Sequence, residues 1–203
     1  MRESSDPYMG PGGALINRLG ITDPDKLKVA EQDAAHFRMA MLRESPIKGN
    51  YDLKHLQETH RYIFQDVYPW AGEIRTVGMS KPPSEFARPE YIETEANKLF
   101  KQLAAEKHLK GLHSEQFVDR AAFFFVEVNA VHAFREGNGR CQQAFFEQLS
   151  RDAGRPLDFS KVQRDTMILG ATLAHNKGHE FFKPIIESAL REGNRQRDAG
   201  FSR

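Results

Sequence analysis

Between positions 132 and 140 the chain reads His-Ala-Phe-Arg-Glu-Gly-Asn-Gly-Arg. Nine residues thus carry a general-base candidate, a carboxylate, two glycines, an amide and a guanidinium, between two stretches that both read as apolar helices. Gly137 and Gly139 allow backbone angles closed to other residues and let a ligand approach the main chain. They open a helix, where unpaired N–H groups and the helix dipole favour an anion. Arg140 adds a charge-assisted contact to a phosphate oxygen. Glu136 fits beside a phosphate only with a cation between them, and a hard Mg²⁺ supplies it. His132 ends the preceding helix, where an imidazole can take a proton from a hydroxyl near neutral pH. Phe134 plugs the loop into the core. Together these parts describe phosphoryl or nucleotidyl transfer to a hydroxyl.

Plainer readings compete. Gly-Asn-Gly before a helix is commonly a turn and cap, and a helix-terminal His can simply cap its carbonyls. His132 and Glu136 also have the i, i+4 spacing of a zinc pair, but the glycines break the helix and no third ligand is evident. His175 and His179 share that spacing with Gly178 between them, which favours an exposed turn.

The elements that must position this loop follow from periodicity and punctuation. The 203 residues suffice for one core, and a single domain over 1–203 is expected. Positions 1–20 read as an irregular arm with a helical piece at Ala14–Leu19. Asp23-Pro24 opens a helix to about Arg43. Asp52 caps the next, with Leu53, Leu56, His60, Ile63 and Val67 on one face and Pro69 as its stop. Ile74, Thr76 and Val77 suit a short strand, Gly78 and Lys81-Pro82-Pro83-Ser84 a turn, and Phe86 a return strand. Pro89 starts a helix with Ile92, Ala96, Leu99 and Leu103 inward. Ser114 caps a helix so apolar (Phe117, Ala121, Phe124, Phe125, Val128) that it belongs at the centre of the core. Helices follow at about 138–153, 160–175 and 180–191, and the tail 194–203 frays. The fold class is all-α with one small β-hairpin.

Formal net charge is +1 and there is one cysteine, Cys141. No charge footprint for nucleic acid or an anionic membrane is visible, no disulfide framework is possible, and no segment reads as a signal or a membrane span. A bacterial cytoplasmic location is expected, with signal-less delivery into another cell open.

At the loop, the residues resemble a known family. His132–Arg140 is similar to the signature of Fic-domain enzymes, His-Pro-Phe-x-Asp/Glu-Gly-Asn-Gly-Arg-x-x-Arg. Asn129 stands at the family's usual offset before the His, Val67–Arg75 (Val-Tyr-Pro-Trp-Ala-Gly-Glu-Ile-Arg) resembles the segment leading into its flap, and Asp6-Pro7-Tyr8 is similar to the opening of bacterial Fic toxins. The resemblance implies transfer of AMP from ATP, with Mg²⁺, to a Tyr, Ser or Thr hydroxyl of a protein. It makes His132 the base and Glu136 the metal holder. Gly137, Asn138, Gly139, Arg140 and the residue at 143 bind phosphates, while Asn129 and Phe134 support the loop. A flap over about 75–86 docks the target by strand addition, through Arg75, Thr76, Val77, Gly78, Met79 and Ser80.

Two departures stand out: Ala133 replaces the usual Pro, and Gln143 replaces the second Arg, which in the family contacts the ATP γ-phosphate. The family's inhibitory motif, Ser/Thr-x-x-x-Glu-Gly/Asn, is matched by Ser188–Gly193, with Glu192 as the clamp. A separate small antitoxin is the favoured regulator, and Glu192 acting in cis the alternative. A gyrase or topoisomerase IV B-type subunit is the guessed target. A pseudo-enzyme or binding module, or transfer of another phosphate-containing group, are the competing functions.

Overall fold

The computed structural model describes residues 6–81 and 84–190. Its α-helices are α1 (Pro24–Glu44), α2 (Leu53–Phe64), α3 (Ile92–Ala105), α4 (Ser114–Val131), α5 (Asn138–Asp152), α6 (Arg164–Lys177) and α7 (Lys183–Ala189). The strands β1 (Ser80–Lys81) and β2 (Ser84–Glu85) pair antiparallel, Ser80 with Glu85 and Lys81 with Ser84. The all-α class with one hairpin is what the periodicities predict.

Helix α4 lies at the centre, packed against α3, α5, α6 and α7. Its Phe117, Ala121, Phe124, Phe125 and Val128 are all buried. Phe125 shows how: its ring stacks on Phe182 at 4.5 Å and meets Phe146 at 5.1 Å and Phe159 at 5.4 Å. Each such contact adds to the apolar area it removes from water. A second, smaller core lies between α1, α2 and the segment 67–71, and includes Tyr8 of the arm. Helix α5 is the wall between the two: Cys141, Phe145 and Leu149 face the large core, Ala144 the small one. Both its ends are therefore fixed, and so is the loop that opens it.

Several boundaries differ from the sequence expectation, for local reasons. Ala14–Leu19 is not helical; a 3₁₀ turn covers Pro11–Gly13 instead. The Asn17 amide donates to Leu15 O and Ile21 O and its oxygen accepts from Leu19 N and Ile21 N, so side-chain bonds replace helical ones. Helix α2 stops at Phe64, well before Pro69, because the chain turns there to bury Val67, Tyr68 and Trp70, with the Val67 and Tyr68 N–H groups both bonded to Phe64 O. Ile74–Val77 forms no strand, with Val77 at a bend and Arg75 N–H bonded to Ala133 O, and the ladder begins only at Ser80. His113, not Ser114, is the cap of α4. Helix α7 ends at Ala189, because Leu190 turns extended and bridges to Leu157 while Asp158 N–H bonds Ala189 O. Ser188 is exposed, its hydroxyl bonded back to Pro184 O. Glu192 and the tail lie outside the described residues.

Candidate active site

The loop starts where α4 stops. His132 is the C-cap, in the left-handed region at φ 48°, ψ 59°, with its N–H bonded to Val128 O at 3.2 Å. A side chain there costs about 1 kcal/mol, so the surroundings must hold it. They do. The imidazole Nδ1 lies 3.3 Å from Asn129 O. A carbonyl only accepts, so Nδ1 carries the proton in that bond and Nε2 keeps the basic lone pair. The ring lies flat on Phe86, centroids 3.7 Å apart and planes 10° apart. Asn129 thus supports the base through its main-chain carbonyl.

The rest of the loop is stapled from inside. Phe134 is 1 % exposed and stacks on His60 at 3.9 Å. His60 is wholly buried on α2, its Nε2 donating to Glu136 O (2.9 Å) and its Nδ1 accepting from Gly72 N–H (2.9 Å). Burial depresses its pKa from 6.5 to about 3, so it is neutral and holds this one tautomer. Asn138 accepts from Phe134 N–H (2.9 Å) and donates to Phe134 O (2.6 Å). Its side chain therefore braces the loop, which leaves its main-chain N–H as the group that can face a phosphate. Gly137 has φ 78°, and a Cβ there would overlap the Phe64 ring. Gly139 has open space around its Cα.

This leaves the first turn of α5 open to an anion. The N–H groups of Asn138, Gly139 and Arg140 have no carbonyl four residues back to bond. Glu136 is exposed beside them, with one oxygen accepting from Gly137 N–H at 2.9 Å. Arg140 is not free-standing. Nearly buried Glu31 of α1 grips it through both terminal nitrogens (2.7 and 2.5 Å), and Glu136 lies 3.7 Å away. The guanidinium also sits over the Phe64 ring. Gln143 is half-buried one turn further along α5, and its side chain makes no hydrogen bond among the described residues. Arg135 is tied to Asp6 at 2.7 Å, so the arm that looked irregular anchors the loop.

The docking segment divides in two. Thr76, Gly78 and Ser80 are exposed, Val77 and Met79 half-buried, and β1 pairs only with β2 among the described residues. Its other edge carries main-chain groups that an added strand could bond. Thr76 N–H is bonded to Tyr8 Oη at 3.1 Å. Arg75 is different: it is 1 % exposed and its guanidinium points inward, so its side chain cannot lie on that edge.

The sequence reading missed His60 and Glu31 as parts of the site. His60 sits on the apolar stripe of α2, where it reads as ordinary core. Glu31 pairs with a residue more than a hundred positions away, and no local pattern announces that.

The donor set fits a nucleotide with a divalent cation. Open first-turn N–H groups suit phosphate oxygens, and an exposed hard carboxylate suits a cation that shares those oxygens. Among the described residues no group of three acidic, His or Cys side chains forms a closed metal cage. No helix among them is long and apolar enough to cross a membrane.

Comparisons with known proteins agree on kind. Residues 50–150 match the model of the Fic/DOC family. The chain is 44 % identical over 160 residues to the probable protein adenylyltransferase y4lH of Sinorhizobium fredii, covering 78 % of this chain and 82 % of that protein. It is 38 % identical over 190 residues to the protein adenylyltransferase VbhT of Bartonella schoenbuchensis, covering 93 % of this chain but only 40 % of that protein. A crystal structure of the BepC protein of Bartonella tribocorum, with bound AMPPNP, superimposes with TM-score 0.84 at 28 % identity, over 91 % of this chain and 96 % of that one.

Proposed function

The chain belongs to the Fic/DOC family, and from that premise we propose that it is a protein adenylyltransferase, moving AMP from ATP to a hydroxyl of a protein held on the β1 edge. The observation that carries the reading is the pairing of His132, its Nδ1 held by Asn129 O, with the open first turn of α5 and the exposed Glu136 beside it.

The chemistry follows from those positions. His132 Nε2 accepts the proton of the target hydroxyl as its oxygen attacks the α-phosphorus. One O–P bond forms, the bond from that phosphorus to the bridging oxygen breaks, and pyrophosphate leaves. A positioned base of this kind contributes roughly 10²–10⁴-fold. The first-turn N–H groups of α5 and Arg140 hold the phosphates. Glu136 would hold Mg²⁺, which supplies charge neutralisation of the phosphates when bound. Neutral His60 and Asn138 keep the loop backbone fixed through the reaction and exchange no proton with it.

A second reading has specific support. Arg140 is already neutralised by Glu31, and position 143 carries no charge, so phosphate recognition is electrostatically weaker than the family motif provides. A weakened enzyme that binds its partner through the flap fits this. For regulation, we favour a separate small antitoxin in a bacterial cytoplasm. The support is that Ser188, in the last turn of α7, is exposed with its hydroxyl bonded back to Pro184 O, and makes no side-chain bond to the His132 loop among the described residues. A gyrase or topoisomerase IV B-type subunit remains the target to try first, by family resemblance.

The test is incubation with α-labelled ATP, Mg²⁺ and a bacterial lysate. The reading predicts a labelled protein carrying the mass of one AMP. A protein that binds AMPPNP but labels nothing selects the second reading.

A further inference from the structure

Arg75 is among the largest fully buried side chains, 1 % exposed, and among the described residues its guanidinium is bonded to main-chain carbonyls and to no carboxylate. An uncompensated buried guanidinium costs several kcal/mol, so an apolar side chain would serve packing better. Its donors all go to main-chain carbonyls: Nε to His132 O at 2.7 Å, Nη1 to Val77 O at 2.6 Å and Nη2 to Ala87 O at 2.5 Å. These oxygens belong to the base turn, the outgoing arm of the flap and its returning arm. Two main-chain bonds run parallel to the same joint, Arg75 N–H to Ala133 O and Ala87 N–H to Ala130 O, each 3.0 Å. The left-handed backbone at His132 aims its carbonyl at this guanidinium. A planar fork with five donors can meet three divergent carbonyls at once; an ammonium cannot.

We infer that Arg75 is a positioning residue for transfer, locking both arms of the flap to the His132 turn so that the docked hydroxyl and the base share one rigid frame. This rests on the adenylyltransferase reading for its consequence, but the lock itself is a property of the fold and can be measured without any transfer.

Hydrogen exchange on the wild-type protein tests the lock directly. The amides of Arg75, Ala87 and His132 should open as one unit, with the same denaturant dependence. Independent opening of flap and turn overturns the inference. Arg75→Lys and Arg75→Gln then test the consequence. Both should raise exchange across 76–87 by roughly tenfold or more, as expected when a local unit loses its anchor. Affinity for AMPPNP with Mg²⁺ should stay within about threefold, because the side-chain hydrogen bonds of Arg75 go to His132, Val77, Ala87 and Val131 and to no residue of the α5 turn. AMP transfer should fall by up to about 10²-fold, the effect of a misplacement near 1 Å, with Lys less impaired than Gln. Loss of AMPPNP binding in step with transfer would mean that Arg75 only supports folding. If neither variant folds, the wild-type exchange result decides. If the wild type transfers no AMP but its exchange is concerted, the functional reading fails and the lock stands.

Discussion

His60 offers a quantitative handle on the loop. Replacing it by Phe keeps the stack on Phe134 and Phe64 but leaves Gly72 N–H buried, and Glu136 O part-buried, without their partner. The buried Gly72 N–H costs about 1–3 kcal/mol and the part-buried Glu136 O about 0.5–1.5 kcal/mol, so His60→Phe should lose about 2–4 kcal/mol. The pH dependence is more diagnostic. The folded pKa, about 3, lies below the unfolded value of 6.5, so between these pH values the unfolded chain binds the extra proton. The contribution of neutral His60 is therefore fully present above about pH 6.5 and is lost as pH falls towards 3. It amounts to at most about 5 kcal/mol, accumulating at about 1.4 kcal/mol per pH unit. Burial also lowers the pKa of His55, which acts in the same direction, so the informative quantity is a difference. Urea unfolding of wild type and His60→Phe at pH 7, 6 and 5 measures it. The wild-type slope should be steeper by up to that amount per pH unit. Parallel slopes would refute a neutral, buried His60 and the fixed tautomer on which the loop rests.

Glu136→Ala should abolish the Mg²⁺ enhancement of AMPPNP binding seen by calorimetry, and equal wild-type affinity with Mg²⁺ or with chelator would remove Glu136 from metal binding. Gln143→Arg should tighten ATP by about 1.5–3 kcal/mol at best while leaving AMP unchanged; equal gains for both would show that position 143 does not face the terminal phosphate. Gly137→Ala must both strain the φ of 78° and push on the Phe64 ring, so a loss of about 2–5 kcal/mol in thermal unfolding is expected, and a shift below about 1 kcal/mol would contradict the packing described.

Much of this architecture is legible in the residues because its signals are local. Asp23-Pro24 and Asp52 cap α1 and α2 as their types predict, and the all-round apolarity of the 114–131 segment places α4 in the core. The glycines and Phe134 declare a loop that opens a helix. What the sequence hides is pairing at a distance. Arg75 reads as one more flap residue until Val77, Ala87 and His132 converge on it. Glu31 reads as a solvated charge until α1 lies against α5. Asn138 reads as one more member of a phosphate cradle, and its bracing role shows only when its amide is seen bonded to both the N–H and the C=O of Phe134. The two-residue strands fail the usual alternation test because they are too short to show it, and the run before them pairs with no strand among the described residues.

The central claim is that His132 is the base for AMP transfer on a nucleotide site that it does not itself build. The measurement that tests it most directly compares wild type with His132→Ala for two quantities on the same preparations: AMPPNP affinity with Mg²⁺, and the rate of AMP incorporation into protein followed by intact mass. Transfer should fall by roughly 10²–10⁴-fold while AMPPNP affinity barely changes. An unchanged transfer rate, or a loss of nucleotide binding as large as the loss of transfer, would contradict it.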